Sequence, residues 1–246
     1  MELATEQLNT GEFSPAGKHA ANFIRLIDVK KSYEEGGQRR VILDHLNLTI
    51  DRGEMLAVVG KSGSGKTTLL NVLSGIDRLD EGQILIGGIV LNDLNENQRT
   101  LFRRQYIGFV FQFFNLIPTL TVWQNVTLPL DLNHRTDREG LERAEMLLDE
   151  VGLLSRKNAY PDRLSGGEQQ RIAIARALVH DPLLVLADEP TGNLDETNSK
   201  KLLNLIDRLT RRLNKNLIMV THSREAAAIA DRIVDLRDGR LVERNG

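Results

Sequence analysis

The sequence predicts an α/β protein with a mainly parallel sheet, and three observations lead to that class. A glycine-rich loop, GKSGSGKTT, lies between a strand-length apolar run and a helical segment, which is the order of a strand–loop–helix unit. Two later apolar runs, LLVLA and NLIMV, have the length of strands, and the first is apolar throughout, as in a parallel strand buried on both faces. Before the loop, FIRLIDVKKSY and RVILDHLNLTI alternate in part, which predicts an N-terminal antiparallel sheet.

Composition excludes several classes of protein. The chain has 246 residues, of which 41% are hydrophobic and 27% charged, enough for one large domain or a core with a subdomain. The net charge of −2 gives no basis for a nucleic-acid or anionic-membrane surface. There is no cysteine, so disulfides and thiolate metal sites are excluded. Its apolar runs are far shorter than the roughly 20 residues that span a bilayer, so work at a membrane requires another chain.

The two ends of the chain predict different structures. Residues 1–22 are polar, with scattered glycine and proline and no signal-peptide pattern, and we expect a flexible leader with ordered structure from Phe23. The C-terminal stretch DRIVDLRDGRLVERNG has two alternating segments around Asp238-Gly239, a dipeptide typical of hairpin turns.

The glycine loop matches GxxxxGK[ST] in the context that the motif requires. Its glycines let backbone N–H groups surround phosphates, and the helix start adds a positive dipole. Lys66 supplies a positive charge and the Thr67 hydroxyl can ligate Mg²⁺. The loop therefore predicts a nucleotide site, with a chance glycine-rich turn as the alternative. The predicted binding residues are Gly60, Lys61, Ser62, Gly63, Ser64, Gly65, Lys66, Thr67 and Thr68.

A second predicted strand supplies carboxylates. LLVLADEP ends at Asp188 and Glu189, and ligands in parallel sheets bind at the carboxyl ends of the strands. We expect Asp188 to hold Mg²⁺ through its water shell and Glu189 to orient and deprotonate the attacking water. The alternative for Glu189 is a solvated strand-end acid or a helix cap.

Further motifs occur in a fixed order between and after these strands. FVFQ precedes a helical stretch, LERAEMLLDEVGLL, in which Leu141, Ala144, Leu148 and Val151 have helical spacing; LSGGEQQR, NLD and MVTHS follow. From about residue 23 onward, the sequence resembles the ATP-binding cassette family, the ATPase subunits of ABC transporters. The resemblance implies a P-loop NTPase core of the RecA-like type, with a helical subdomain inserted at about residues 113–167.

The resemblance also implies roles for three single residues. Gln112 matches a glutamine whose amide reaches Mg²⁺ or the attacking water, although alone it could be an ordinary polar residue at a strand end. His222 matches a histidine that hydrogen-bonds the γ-phosphate. Tyr33 takes the place of an aromatic residue that stacks on adenine, the alternative being a simple core or surface aromatic.

The segment LSGGEQQR is a second helix start with glycines. In the family, two cassettes face each other head to tail, and this segment closes over the ATP held by the other copy. The resemblance thus implies a homodimer around two ATP molecules. The residues that act on the partner's nucleotide are Ser165, Gly166, Gly167, Glu168 and Asp195. Chain lengths alone leave a contact within one chain open, and the simpler alternative is a helix N-cap turn.

The loop after Gln112 has more apolar surface than a loop requires. In ABC transporters this region receives the membrane subunit, so the resemblance predicts a permease groove, with packing inside the helical subdomain as the alternative. The predicted groove residues are Phe113, Phe114, Leu116, Ile117 and Trp123.

FVFQFFNLIPTLTVWQNVTLPL and ADEPTGNLD resemble the branch that contains the LolD and MacB ATPases, with FtsE as a near relative. We therefore expect a cytoplasmic, Mg²⁺-dependent ATPase that lies at the inner face of the membrane through a separate permease and does not bind nucleic acid. An FtsE-like regulatory ATPase of a non-transport complex is the alternative.

Overall fold

The computed structural model describes residues 22–243, so the predicted leader lies outside the described residues except for Asn22. The strands are β1 (Ile24–Glu35), β2 (Gln38–Ile50), β3 (Met55–Val59), β4 (Glu81–Ile86), β5 (Ile89–Val90), β6 (Ile107–Val110), β7 (Leu184–Asp188), β8 (Asn216–Thr221), β9 (Arg232–Arg237) and β10 (Arg240–Glu243). The helices are α1 (Lys66–Leu73), α2 (Glu96–Tyr106), α3 (Val122–Leu132), α4 (Arg138–Glu150), α5 (Gly166–Leu178), α6 (Glu196–Arg212) and α7 (Arg224–Ala227).

The described residues form two compact units. The first unit contains residues 22–103 and 220–243, and the second contains residues 104–219. None of the helices described within residues 22–243 has both the length and the apolar character needed to cross a bilayer.

In the first unit, β1 pairs antiparallel with both β2 and β4 in a sheet of order β2-β1-β4-β5. This confirms the predicted N-terminal antiparallel sheet. Strand β3, buried at every residue, pairs in parallel with β9, and Val58 lies opposite Val234. The predicted hairpin is also confirmed, because β9 and β10 pair antiparallel and Asp238 and Gly239 have positive φ angles of 48° and 76°.

In the second unit, β6 and β7 form a parallel pair in which Gly108 lies opposite Val185. Helix α5 packs directly on β6, since a Cβ at Gly108 would lie only 2.1 Å from the carbonyl oxygen of Ala177. Only glycine allows so close an approach of helix and strand. Parallel pairs in both units, together with the N-terminal antiparallel sheet, confirm the α/β class.

Helices α3 and α4 precede α5 in the second unit. Three of the four apolar residues predicted to share one face of α4 are buried, namely Ala144, Leu148 and Val151. Leu141, in the first turn, is 36% exposed. The boundaries of the predicted helical subdomain, residues 113–167, stay a prediction.

Candidate functional site

The glycine loop connects β3 to α1 in the first unit. Gly63 and Gly65 have φ angles of 75° and 101°, a region that residues with a side chain rarely adopt. The ammonium group of Lys66 folds back over the loop and donates to the carbonyl oxygens of Gly60 and Lys61, at 2.9 and 3.0 Å. Loop conformation and lysine position are those of a phosphate-binding cradle.

The start of α1 differs from the other helix starts. Its N-cap is Gly65, which has no side chain to accept a hydrogen bond from the first turn. Helices α3 to α7 are each capped by a side chain, from Thr121, Asp137, Ser165, Asp195 and Ser223 respectively. Because N–H groups at a helix start need an acceptor, the start of α1 fits the phosphates of a nucleotide.

Tyr33 lies near the phosphate loop in the first unit. Its hydroxyl donates to Oδ2 of Asp77 at 2.5 Å, and the Lys31 ammonium lies 4.9 Å from the ring centroid. Desolvation, followed by the bond to Asp77, raises the pKa of Tyr33 to about 12, and a bond with Thr68 of the loop opposes the rise. The ring is therefore anchored beside the start of α1, while its stacking on adenine stays a prediction.

His222 follows β8 directly and is exposed. It lines an open cavity of about 1130 Å³ together with residues 60–64 of the phosphate loop. Arg224 and Arg237 lie in the same wall, whereas Lys66 and Thr67 do not. The structure thus brings the predicted histidine and residues 60–64 of the loop to one cavity.

The two predicted acids lie in the second unit, at the end of β7. Glu189 has a φ angle of 44°, in the left-handed region, which costs a residue with a side chain about 1–2 kcal/mol. A tight turn follows, in which the N–H of Gly192 donates to the carbonyl oxygen of Glu189 at 2.9 Å. The backbone changes direction between Asp188 and Glu189, and strain of this kind is concentrated at functional sites.

Gln112 lies against the turn that follows Glu189. A Cβ at Gly192 would be 2.8 Å from Nε2 of Gln112, and Nδ2 of Asn193 donates to the Gln112 carbonyl oxygen at 2.8 Å. The structure therefore brings together the predicted glutamine and the turn beginning at the predicted base. Sequence reasoning assigned no role to Gly192 or Asn193, although Asn193 is the first residue of the NLD motif and Gly192 precedes it.

LSGGEQQR, here called the signature, contains the start of α5, the signature helix. Within the chain, its residues Ser165 and Glu168 form a capping box at that start. The Ser165 hydroxyl accepts from the Glu168 N–H at 3.3 Å, and Oε2 of Glu168 accepts from the N–H and hydroxyl of Ser165 at 2.8 and 2.9 Å. These bonds, the backbone one first, lower the pKa of Glu168. Within one chain, Ser165 is therefore the N-cap of α5, as the simpler alternative predicted. The contact of Ser165 with a partner's ATP stays a prediction.

Asp195 also caps a helix within its own chain. Its Oδ1 accepts from the Asn198 N–H at 2.9 Å and its Oδ2 accepts from Nδ2 of Asn198 at 2.6 Å. Asn198 in turn lies beside Gly167, whose Cβ would be 3.8 Å from Cγ of Asn198. Asp195 is thus held close to the signature helix, and its contact with an opposing loop stays a prediction.

The predicted groove residues differ in exposure. Phe113 is 70% exposed and Ile117 is 37% exposed. Phe114, Leu116 and Trp123 are half-buried. The Phe114 ring lies against Gly166, where a Cβ would be 3.4 Å from Cζ of the ring. The apolar surface open to a partner is therefore concentrated at Phe113 and Ile117.

The loop that contains these residues is held by a side chain that sequence reasoning missed. Asn125, fully buried on α3, accepts from the Ile117 N–H at 2.8 Å. Its Nδ2 donates to the carbonyl oxygens of Ile117, Leu120 and Thr121 at 3.0–3.1 Å. A single carboxamide thus fixes the shape of residues 117–121.

The predicted ligands of Mg²⁺ are the Thr67 hydroxyl, the Gln112 amide oxygen and the Asp188 carboxylate. These are hard oxygen donors, which Mg²⁺ prefers, and one or two carboxylates are sufficient when phosphates supply the remaining ligands. Residues 22–243 contain no group of three or more His, Cys, Asp or Glu side chains suited to a metal. The chemistry of the donor set therefore fits Mg²⁺ held together with a nucleotide.

Comparisons with known proteins agree with this geometry. A Mycobacterium tuberculosis ABC transporter ATP-binding protein is 50% identical over 219 residues, 89% of this chain and 88% of that protein. The lipoprotein-releasing system ATP-binding protein LolD of Legionella pneumophila is 44% identical over 214 residues, 87% and 94% of the two chains. The dimeric ATP-binding cassette MJ0796, solved with ADP and Pi in a post-hydrolysis state, is similar with a TM-score of 0.81 and 40% identity, over 91% and 99% of the chains.

The ABC transporter family profile matches residues 43–192, which include the phosphate loop, Gln112, the signature segment and both acids. A match over more than half of the chain, together with relatives of this identity, assigns the family. The chain belongs to the ABC transporter family, as an ATP-binding subunit.

Proposed function

We propose that this chain hydrolyses ATP with Mg²⁺ as the motor of a LolD-like transporter, closing as a homodimer around two ATP molecules and driving a separate permease. The uncapped start of α1, with Lys66 folded over the glycine loop, carries the proposal. The relatives named for lipoprotein release support the branch, and the dimeric cassette of similar fold supports closure between two copies. The chain then works in the cytoplasm, attached to the membrane through its permease.

In the proposed mechanism, some residues bind the phosphates and Mg²⁺, and others act on the attacking water. Backbone N–H groups of the loop and the Lys66 ammonium bind the phosphates, and His222 donates to the γ-phosphate. Thr67, Gln112 and Asp188 hold Mg²⁺, which neutralises phosphate charge when bound. Glu189 takes the proton of the attacking water, and Gln112 orients that water.

The signature helix completes the site of the other copy. Ser165 and Glu168 cap α5 in the single chain, so the serine hydroxyl has to exchange its bond to Glu168 for the partner's phosphate when the dimer closes. The start of a helix favours an anion, which supports this exchange. Gly166 and Gly167 place only backbone at that surface, and Asp195 contacts the opposing phosphate loop.

The test replaces Glu189 with glutamine. Glu189→Gln keeps the shape of the side chain but cannot take a proton, so ATP turnover falls about 10²- to 10⁴-fold. ATP binding is retained, and a dimer accumulates with ATP and Mg²⁺ in size-exclusion chromatography. Lys66→Ala is the control and abolishes both nucleotide binding and the dimer. Turnover at the unmodified rate in Glu189→Gln would refute its role as the base, and failure of ATP to dimerise it would refute closure between two copies.

A further inference from the structure

Gln170, in the first turns of α5, is a fully buried polar side chain to which the proposed mechanism gives no role. Its Nε2 donates to the carbonyl oxygen of Phe111 at 3.2 Å and to that of Pro190 at 2.7 Å. Phe111 precedes Gln112 and Pro190 follows Glu189. One carboxamide therefore joins the backbone beside both proposed hydrolytic residues to the helix that starts at the signature.

The orientation of this carboxamide is determined by its partners. Both neighbours are carbonyl oxygens, so only the NH₂ group can face them. Its Oε1 is buried and has no hydrogen-bond partner among residues 22–243. Leaving a buried oxygen unpaired lowers stability, and a polar group kept at such a cost calls for an explanation beyond packing.

The surrounding contacts make the bridge stiff. Helix α5 is already fixed to β6 further along, where Gly108 approaches Ala177 closely and Nε2 of His180 lies 3.1 Å from the Ile107 carbonyl oxygen. Gln170 adds a third attachment, at the end of α5 nearest the signature. Its bond to Pro190 also connects α5 to the backbone just after β7. A shift of the signature helix would therefore also move the backbone next to Gln112 and the backbone next to Glu189.

We propose that Gln170 is a positioning residue for ATP hydrolysis, which holds the Gln112 and Glu189 backbones in register with the signature helix through its two carbonyl contacts. The proposal rests on the proposed function, since Glu189 must be the base. It assigns Gln170 no contact with ATP, so its loss lowers kcat and leaves nucleotide affinity unchanged.

The preceding residue, Gln169, provides a matched control. Gln169 lies on the same helix, and its Nε2 also donates to two carbonyl oxygens, those of Pro161 and Leu164, both at 3.1 Å. These carbonyls lie before Ser165, in the segment that leads into α5, and not beside Gln112 or Glu189. Gln169→Met and Gln170→Met thus remove the same chemical bridge at neighbouring positions.

The experiment measures kcat and KM for ATP, with affinity for a fluorescent ATP analogue, in the full-length chain. In Gln170→Met, kcat falls about 10- to 100-fold, the expected effect of misplacing reacting groups by a fraction of an ångström to an ångström. KM and analogue affinity change less than about twofold in both variants, because neither change touches a nucleotide contact. Gln169→Met keeps its kcat, because Gln169 does not bond the backbone beside Gln112 or Glu189. Normal kcat in folded Gln170→Met, or an equal loss in Gln169→Met, would overturn the proposal.

A second comparison separates positioning from a general loss of structure. In the Glu189→Gln background, Gln170→Met lowers the residual turnover less than about twofold further, because residues that act as a unit are not additive. A full additional loss would show an independent effect and reject the proposal. If Gln170→Met does not fold, Gln170→Asn replaces it: the shorter amide cannot span both carbonyls, so normal kcat in that variant counts against the bridge.

These outcomes are distinct from failure of the proposed function. If the unmodified chain does not hydrolyse ATP, or Glu189→Gln hydrolyses normally, the proposed function fails before Gln170 is considered. If both behave as proposed and only the Gln170 variants keep their kcat, the positioning role alone is wrong.

Discussion

At the scale of single residues, glycine and amide side chains hold the backbone around the end of β7 in the second unit. Gly192 leaves room for the Gln112 amide, Asn193 binds the Gln112 carbonyl, and Gln170 spans the carbonyls beside Gln112 and Glu189. None of these groups titrates, so the arrangement does not change with pH through its own charge. We infer that hydrogen bonds to backbone carbonyl oxygens help to hold the proposed hydrolytic residues in place.

Gly192→Ser tests whether the absence of a side chain at residue 192 is needed to position Gln112. The new Cβ would lie 2.8 Å from Nε2 of Gln112, closer than a carbon and a nitrogen tolerate, so the glutamine must move. We expect kcat for ATP to fall about tenfold with KM nearly unchanged, because positioning and not binding is altered.

The control for this change is a second substitution. Gln112→Ala removes the amide that the serine would displace, so Gly192→Ser should have no further effect on kcat in the Gln112→Ala chain. An equal loss in both backgrounds would mean that Gly192 acts through some other contact.

At the scale of elements, helix starts and strand ends decide where the functional groups lie. Helix α1 starts without a side-chain cap, whereas α5 starts with a capping box from Ser165 and Glu168. His180 lies just beyond the other end of α5. Burial lowers the pKa of His180 to about 4, so the imidazole is neutral near pH 7. The neutral ring can be buried beside β6 without a counter-ion.

Asn125 gives a prediction at this scale, because it connects α3 to the loop before it. Asn125→Ala leaves the Ile117 N–H and several carbonyl oxygens without their partner, and we expect the free energy of unfolding to fall by about 2–3 kcal/mol. Thr121→Ala removes only the cap of the same helix and should cost about 1 kcal/mol. Urea denaturation measures both values, and an equal cost in the two variants would contradict the role given to Asn125.

At the scale of the whole molecule, the two units contain different parts of the proposed machinery. The first has the phosphate loop, Tyr33 and His222, and the second has Gln112, the signature helix and both acids. The second unit also presents the exposed apolar residues of the predicted groove. The proposed hydrolytic residues and the predicted permease groove are therefore in one unit, where Gln112 lies next to Phe113 in the chain.

Phe113→Asp tests the permease contact. At 70% exposure the side chain contributes little to the core, so we expect fold, ATP binding and ATPase activity to be retained. A charge at this place should prevent co-purification with the native membrane subunit. Leu132→Asp, at a residue that is 50% exposed on the same unit, is the matched control and should keep the subunit bound. Retained co-purification in Phe113→Asp would contradict the groove, and a captured division-type protein would favour the FtsE-like alternative.

Much of the fold followed from the sequence because its signals are local. Alternation predicted β1 and β2, an unbroken apolar run predicted β7, and the glycine loop placed the strand–loop–helix unit. The candidate site was predicted less completely. Phe114 was predicted to line the groove with Phe113, and this stays a prediction, but the sequence did not show that its ring lies against Gly166, a residue distant in the chain. Apolar composition indicates that a side chain needs cover but does not say what covers it.

The sequence by itself determined the strand–loop–helix unit, several of the strands, the family and the prediction of which residues bind phosphate, since each depends on neighbouring residues in the chain. The tertiary structure alone decided which amides contact the backbone around the proposed hydrolytic residues. Gln170 meets a carbonyl 59 residues away and Asn193 meets one 81 residues away. A polar residue in the sequence shows that a partner is needed. Which backbone oxygen serves as that partner depends on how strands and helices pack, because close approach and burial arise only after the chain has folded.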